Sequence, residues 1–133
     1  MEAEFQGMRV LVADDDQANA DALSELLRTY GCETRTVYSG DDALDILESF
    51  RPQLALLDLV MPGMHAFELA RRLREKPDFG GTTIVGMTAM HVDQDLLPFR
   101  KFGFVEVLSK PIQPEELRFW VERVHSTSGP AAN

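Results

Sequence analysis

Leu54, Ala55, Leu56 and Leu57 run unbroken into Asp58, and the turn residues Met61, Pro62 and Gly63 follow almost at once. Asp14, Asp15 and Asp16 stand directly after a second apolar run, Arg9 to Ala13; Thr88 ends a third, Thr83 to Met87; Lys110 comes just past a fourth, Val105 to Ser109. Each has a dull explanation alone: an aspartate can shape a turn, and three successive acids can form an exposed loop whose last member caps a helix. Together they supply several carboxylates, a hydroxyl and an amine. Clustered carboxylate oxygens suit a hard cation such as Mg²⁺, which keeps several waters and takes few protein ligands. The cation in turn offsets the mutual repulsion of the acids. A carboxylate can attack phosphorus and hold the group as an acyl phosphate. Lysine and threonine can then bind the oxygens of the transferred group.

That chemistry requires the runs to be strands whose carboxyl ends share one rim. A short apolar stretch bounded by turn residues reads as a strand buried on both faces. Helical patterns fall between the strands. Leu23, Leu26, Leu27 and Tyr30 mark a first helix, stopped by Gly31. Glu33 to Val37 is a second strand. Ser39 and Asp42 resemble a capping box, opening a helix with Ala43, Leu47 and Phe50 inward, closed by Pro52. After Asp58, Ala66, Phe67, Ala70 and Leu73 face inward on a third helix, with Arg71, Arg72 and Arg74 solvated. Pro98 belongs to a helix's first turn, so a fourth helix is expected from an N-cap at Asp95 to Phe102, with Gly103 as its stop. This leaves residues 90–94 as a loop that can move. Pro114, Glu115 and Glu116 open a fifth helix, buried through Leu117, Trp120, Val121 and Val124. Strand and helix alternate five times, the pattern of a doubly wound parallel sheet with helices on both faces. Ligands of such sheets sit at the carboxyl ends of the strands.

The chain of 133 residues fits one domain with a core of its own. The expected division is an N-terminal tail, 1–7, a folded domain, 8–125, and a C-terminal tail, 126–133. Cys32 cannot form an internal disulfide and reads as a small half-buried residue. No apolar run approaches the roughly 20 residues of a membrane span, and residues 1–7 do not resemble a signal peptide. A cytoplasmic setting is expected. A net charge of −9 disfavours direct binding to nucleic acid.

The stretches VLVADDD (10–16), LLDLVMPGM (56–64), MTAM (87–90) and LSKPI (108–112) resemble the receiver domain of two-component response regulators, chemotaxis regulators among them. The resemblance runs from about Met8 to His125. It implies a flavodoxin-like sheet of order 2-1-3-4-5, with Asp58 as phosphoacceptor. It also implies that Mg²⁺ or Mn²⁺ is held by Asp15 directly, by Asp14 mainly through water, by Asp58, and by the Val60 carbonyl. Thr88 and Lys110 would contact phosphoryl oxygens, and Asp16 would cap the first helix. The expected function is a phosphorylatable switch rather than an enzyme, with self-phosphorylation and slow autodephosphorylation its only chemistry. A histidine kinase or histidine phosphotransfer protein would supply the phosphoryl group, docking near Leu23 to Arg28. Output would pass by protein contact, or by a dimer formed on phosphorylation, through Arg100, Lys101, Phe102 and the last strand and helix. The chain could be free-standing, or one part of a hybrid histidine kinase or longer regulator.

Departures from the family sharpen the expectations. Val107 stands where an aromatic residue is common and reads as a packed strand residue, which shifts signalling toward residues 89–94 and the fourth helix. His65 and Ala66 replace an Asp-Gly pair, and His65 reads as a helix-start residue. Val60 and Met90 are both apolar and cannot orient an attacking water, so slow loss of the phosphoryl group is expected. One rival of a different class is a Mg-dependent phosphatase with an aspartate nucleophile, which pairs that residue with a second aspartate two positions on; here that position is Val60. A nucleotide or flavin domain would need a glycine-rich loop where Asp14 to Asp16 stand.

Overall fold

The computed structural model describes residues 4–61, 66–75, 81–89 and 97–128. Five strands, β1 (Arg9–Ala13), β2 (Glu33–Val37), β3 (Leu54–Asp58), β4 (Thr83–Thr88) and β5 (Phe104–Ser109), alternate with five helices: α1 (Gln17–Thr29), α2 (Gly40–Phe50), α3 (Ala66–Glu75), α4 (Leu97–Lys101) and α5 (Pro114–Ser128). The strands form one parallel sheet of order β2-β1-β3-β4-β5.

Period-two alternation divides the sheet's side chains between two cores. Leu11, Ala13, Ala55, Leu57, Ile84 and Val107 point to one face, where they meet Ala43 and Leu47 of α2 and Leu69 and Leu73 of α3. Val10, Val12, Leu54, Leu56, Val85 and Met87 point to the other, against Leu23 and Leu27 of α1 and Leu117 and Val121 of α5. Central β3 therefore buries all five residues. The register pairs Asp58 with Met87 and Thr88 with Ser109, so the carboxyl ends of β3, β4 and β5 lie side by side.

The helix boundaries follow local chemistry. Asp16 caps α1 through a bond from the Asn19 amide, and Gly31 follows the helix with φ +95°. Ser39 caps α2 through the Asp42 amide. That helix ends through Arg51 in the left-handed region (φ 52°), a conformation the neighbouring Pro52 does not announce; the Arg51 carbonyl accepts Arg9 Nε at 2.8 Å. Gly103 ends α4 with φ +94°.

Several details differ from expectation. Leu69 joins the buried side of α3, while Phe67 is half-buried and packs against Phe99, Phe102 and Phe104. Arg71, Arg72 and Arg74 are all exposed, as expected; Arg71 and Arg72 pair with Glu68, while Arg74 also donates to the carbonyls of Thr82 and Gly103, tying α3 to the starts of β4 and β5. β5 begins one residue early, at Phe104. Residues 126–128 of the expected C-terminal tail continue α5. The expected N-terminal tail is folded down where it is described: Phe5 is buried, and its ring meets Tyr30 and His125 edge-on. The expected N-cap Asp95, His65, Met90 and the rest of the loop after Ala89 lie outside the described residues. Among the described residues, no helix is long and apolar enough to cross a membrane.

Candidate functional site

Asp58 is the last residue of β3, and its carboxylate is nearly buried. Its Oδ1 accepts the Val60 amide at 3.1 Å, and its Oδ2 lies 3.1 Å from Lys110 Nζ. The Val60 side chain itself points outward, 61 % exposed. Asp14 follows β1, where its amide donates to the Val37 carbonyl at 3.1 Å and locks the loop onto the sheet. Its carboxylate is fully buried. Oδ1 accepts the Asp16 amide at 3.0 Å; Oδ2 accepts Asn19 Nδ2 at 2.6 Å and stands 2.8 Å from Lys110 Nζ.

Lys110 thus bridges two acids. It is delivered from the end of β5, with its amide donating to the Thr88 carbonyl at 2.7 Å. That bond also ties the buried Thr88, at the end of β4, to the lysine's own main chain. The Lys110–Pro111 peptide bond is cis. Asp15 is exposed, yet one carboxylate oxygen from each of Asp14, Asp15 and Asp58 falls within 4.8 Å of the others. Asp16 is not among these clustered acids; its side chain accepts the Asn19 amide as the α1 cap.

The electrostatics follow from crowding. Burial, then the hydrogen bond with Asp14, pushes the Asp58 carboxyl up to about 6 against the pull of the Val60 amide and Lys110. Burial also works against ionised Asp14, but Asp58, Lys110, the Asp16 amide and Asn19 outweigh it and hold the group below its ordinary value. Burial disfavours the Lys110 ammonium; the two carboxylates more than compensate, so its pKa is raised. Two acids and one base leave the pocket short of positive charge. A second cation fits that deficit, and three carboxylates with only oxygen donors match Mg²⁺ or Mn²⁺.

The structure brings together Asp14, Asp15, Asp58 and Lys110, with Thr88 at the adjoining strand end. Val107 is buried on the sheet face whose core includes side chains of α2 and α3, a packed strand residue. The residue that strand-end reasoning passed over is Asn19. Its signal was available: an amide side chain in the first turn of a helix whose cap adjoins the acids.

The chain matches the family described as "Response regulator receiver domain" over residues 10–122. The DNA-binding response regulator MtrA of Mycobacterium tuberculosis is 37 % identical over 109 residues, covering 82 % of this chain and 46 % of MtrA. The chain therefore spans less than half the length of that relative. A putative response regulator from Chloroflexus aurantiacus superposes with a TM-score of 0.82 at 28 % identity, covering 91 % of this chain and 99 % of that one. The signal receiver domain of a signal transduction histidine kinase from Syntrophus aciditrophicus gives 0.81 at 26 % identity, with 93 % and 94 % covered. The chain belongs to the receiver-domain family of two-component response regulators.

Proposed function

We propose that Asp58 accepts a phosphoryl group from the phosphohistidine of a histidine kinase or histidine phosphotransfer protein. The observation that carries this is the setting of its carboxylate: nearly buried, 3.1 Å from Lys110 Nζ, and one of three acids whose oxygens lie within 4.8 Å. An Asp58 oxygen attacks phosphorus, the N–P bond of the donor breaks, and the imidazole leaves and is reprotonated. Lys110 then shifts from carboxylate to phosphoryl oxygens, with the Thr88 hydroxyl as a second contact.

Asp14, Asp15, Asp58 and the Val60 carbonyl would hold Mg²⁺ or Mn²⁺. When bound, the cation supplies positive charge to the phosphoryl oxygens as negative charge builds up there. No water-orienting side chain stands at Val60, so autodephosphorylation is slow and the protein serves as a switch. Output passes through protein contacts in a cytoplasmic setting. MtrA is described as DNA-binding, and the Syntrophus domain belongs to a histidine kinase. The switch can work alone or beside such a module.

Incubation with acetyl phosphate and Mg²⁺ tests this. One phosphoryl group per chain is expected, acid-stable and hydroxylamine-labile, with none in Asp58→Asn. Incorporation that survives Asp58→Asn would refute the assignment.

A further inference from the structure

We propose that Asn19 is a positioning residue, whose side-chain amide fixes the buried Asp14 carboxylate in the orientation that the acid cluster needs to take a divalent cation. This rests on reading Asp14, Asp15 and Asp58 as a cation site.

Among the described residues, three donors reach the buried Asp14 carboxylate: the Asp16 amide on Oδ1 at 3.0 Å, and Asn19 Nδ2 at 2.6 Å and Lys110 Nζ at 2.8 Å, both on Oδ2. The lysine is shared, because the same Nζ lies 3.1 Å from Asp58 Oδ2. An ammonium on a flexible stem that serves two acids imposes a single orientation on neither. A phosphoryl group on Asp58 would also draw that ammonium away. Asn19 is undivided in this sense, and its backbone is fixed: it stands in the first turn of α1, with its amide on Asp16 Oδ1 at 3.2 Å. It is also neutral. It satisfies an Asp14 lone pair without adding positive charge that would oppose an incoming cation.

Partners that orient a ligating carboxylate from behind typically matter 10- to 100-fold in metal affinity. The competing account is that Asn19 merely stabilises the start of α1. The helix-capping bond, however, uses the Asn19 main-chain amide, which any replacement except proline retains. Its side chain is therefore free to be judged by its effect on Asp14.

The experiment is calorimetric titration of the full chain with Mg²⁺, repeated with Mn²⁺ by electron paramagnetic resonance. Asn19→Leu removes the donor at similar volume and is expected to weaken both cations about 10- to 100-fold. Asn19→Ala carries the same expectation should the leucine variant not fold. Asn19→Gln keeps the amide and should recover part of the loss. At saturating Mg²⁺, phosphorylation of Asn19→Leu by acetyl phosphate should return to the unsubstituted level, because the defect lies in affinity. Affinity within twofold of the unsubstituted chain, or a lowered melting temperature as the sole change, would overturn the role of Asn19. Failure of the unsubstituted chain to take up Mg²⁺ would instead sink the cation site beneath it.

Discussion

Asp58 carries a cost that pH can expose. Its carboxyl is pushed from the ordinary 3.8 up to about 6, first by burial and then by Asp14. Between those values the folded chain keeps a proton that the unfolded chain has already released. Stability therefore falls as pH rises through about 4 to 6, and the penalty is complete above that window. Asp14 shifts the opposite way, so its contribution is lost only at lower pH, as the pH falls through its depressed value, and the two effects do not overlap. With divalent cations chelated, Asp58→Asn should gain on the order of 2 kcal/mol at pH 7.5, a gain that shrinks toward pH 4. Urea denaturation at pH 4.5 and 7.5 checks this; an equal gain at both would remove the electrostatic explanation. At this scale, strand-end position was enough to find Asp14, Asp58, Thr88 and Lys110 in the sequence, because a buried strand fixes where its last residue goes. It could not reveal that Lys110 bridges Asp14 and Asp58, nor that Asn19 reaches Asp14. Both depend on side-chain reach across elements.

Among the elements, α3 and the turn after α4 are joined more tightly than their composition announces. Gly103 adopts φ +94°, and a Cβ added there would stand 2.5 Å from Arg74 Nε. The Arg74 guanidinium is held in place by the Gly103 and Thr82 carbonyls. Partial desolvation there lowers the Arg74 pKa, although the residue stays exposed as a helix-face pattern suggests. Gly7 makes a natural control, with φ +80° but open space around the added atom. Gly7→Ala should cost about 1–2 kcal/mol from left-handed backbone alone. Gly103→Ala should cost more, because Arg74 must also give up its two carbonyls, and the excess should disappear in an Arg74→Ala background. A double-mutant cycle by urea denaturation measures the difference; equal costs for the two glycines would show that Arg74 yields freely. The sequence marks Gly103 as a helix stop. It cannot mark the crowding, which comes from a residue on another helix.

Across the whole molecule, the two rims of the sheet are separable. Strand alternation made a parallel sheet legible, and the resemblance carried the strand order with it. The short, polar opening segment read as a tail because a single aromatic there has no nearby apolar partner. Its partners are distant in sequence: the Phe5 ring lies 6.1 Å from Tyr30 and 5.2 Å from His125, with the Arg118 guanidinium 5.5 Å above it. Backbone bonds from Phe5 to Tyr30 and from Gly7 to Gly31, both 2.9 Å, complete the clamp, and Arg118 pairs with Glu4 and Glu122. All of this lies at the amino ends of β1 and β2, whereas the acids lie at the carboxyl ends, about 17 Å away along a five-residue strand. Phe5→Ala removes a buried aromatic that α1 and α5 share, and should cost about 3–5 kcal/mol in urea denaturation. The folded fraction should still bind Mg²⁺ with unchanged affinity, since none of the hydrogen bonds of Asp14, Asp58 and Lys110 among the described residues passes through the clamp. If Mg²⁺ affinity fell in step with stability, the two rims would be coupled through the sheet, and the picture of a rigid scaffold carrying an independent acid pocket would fail.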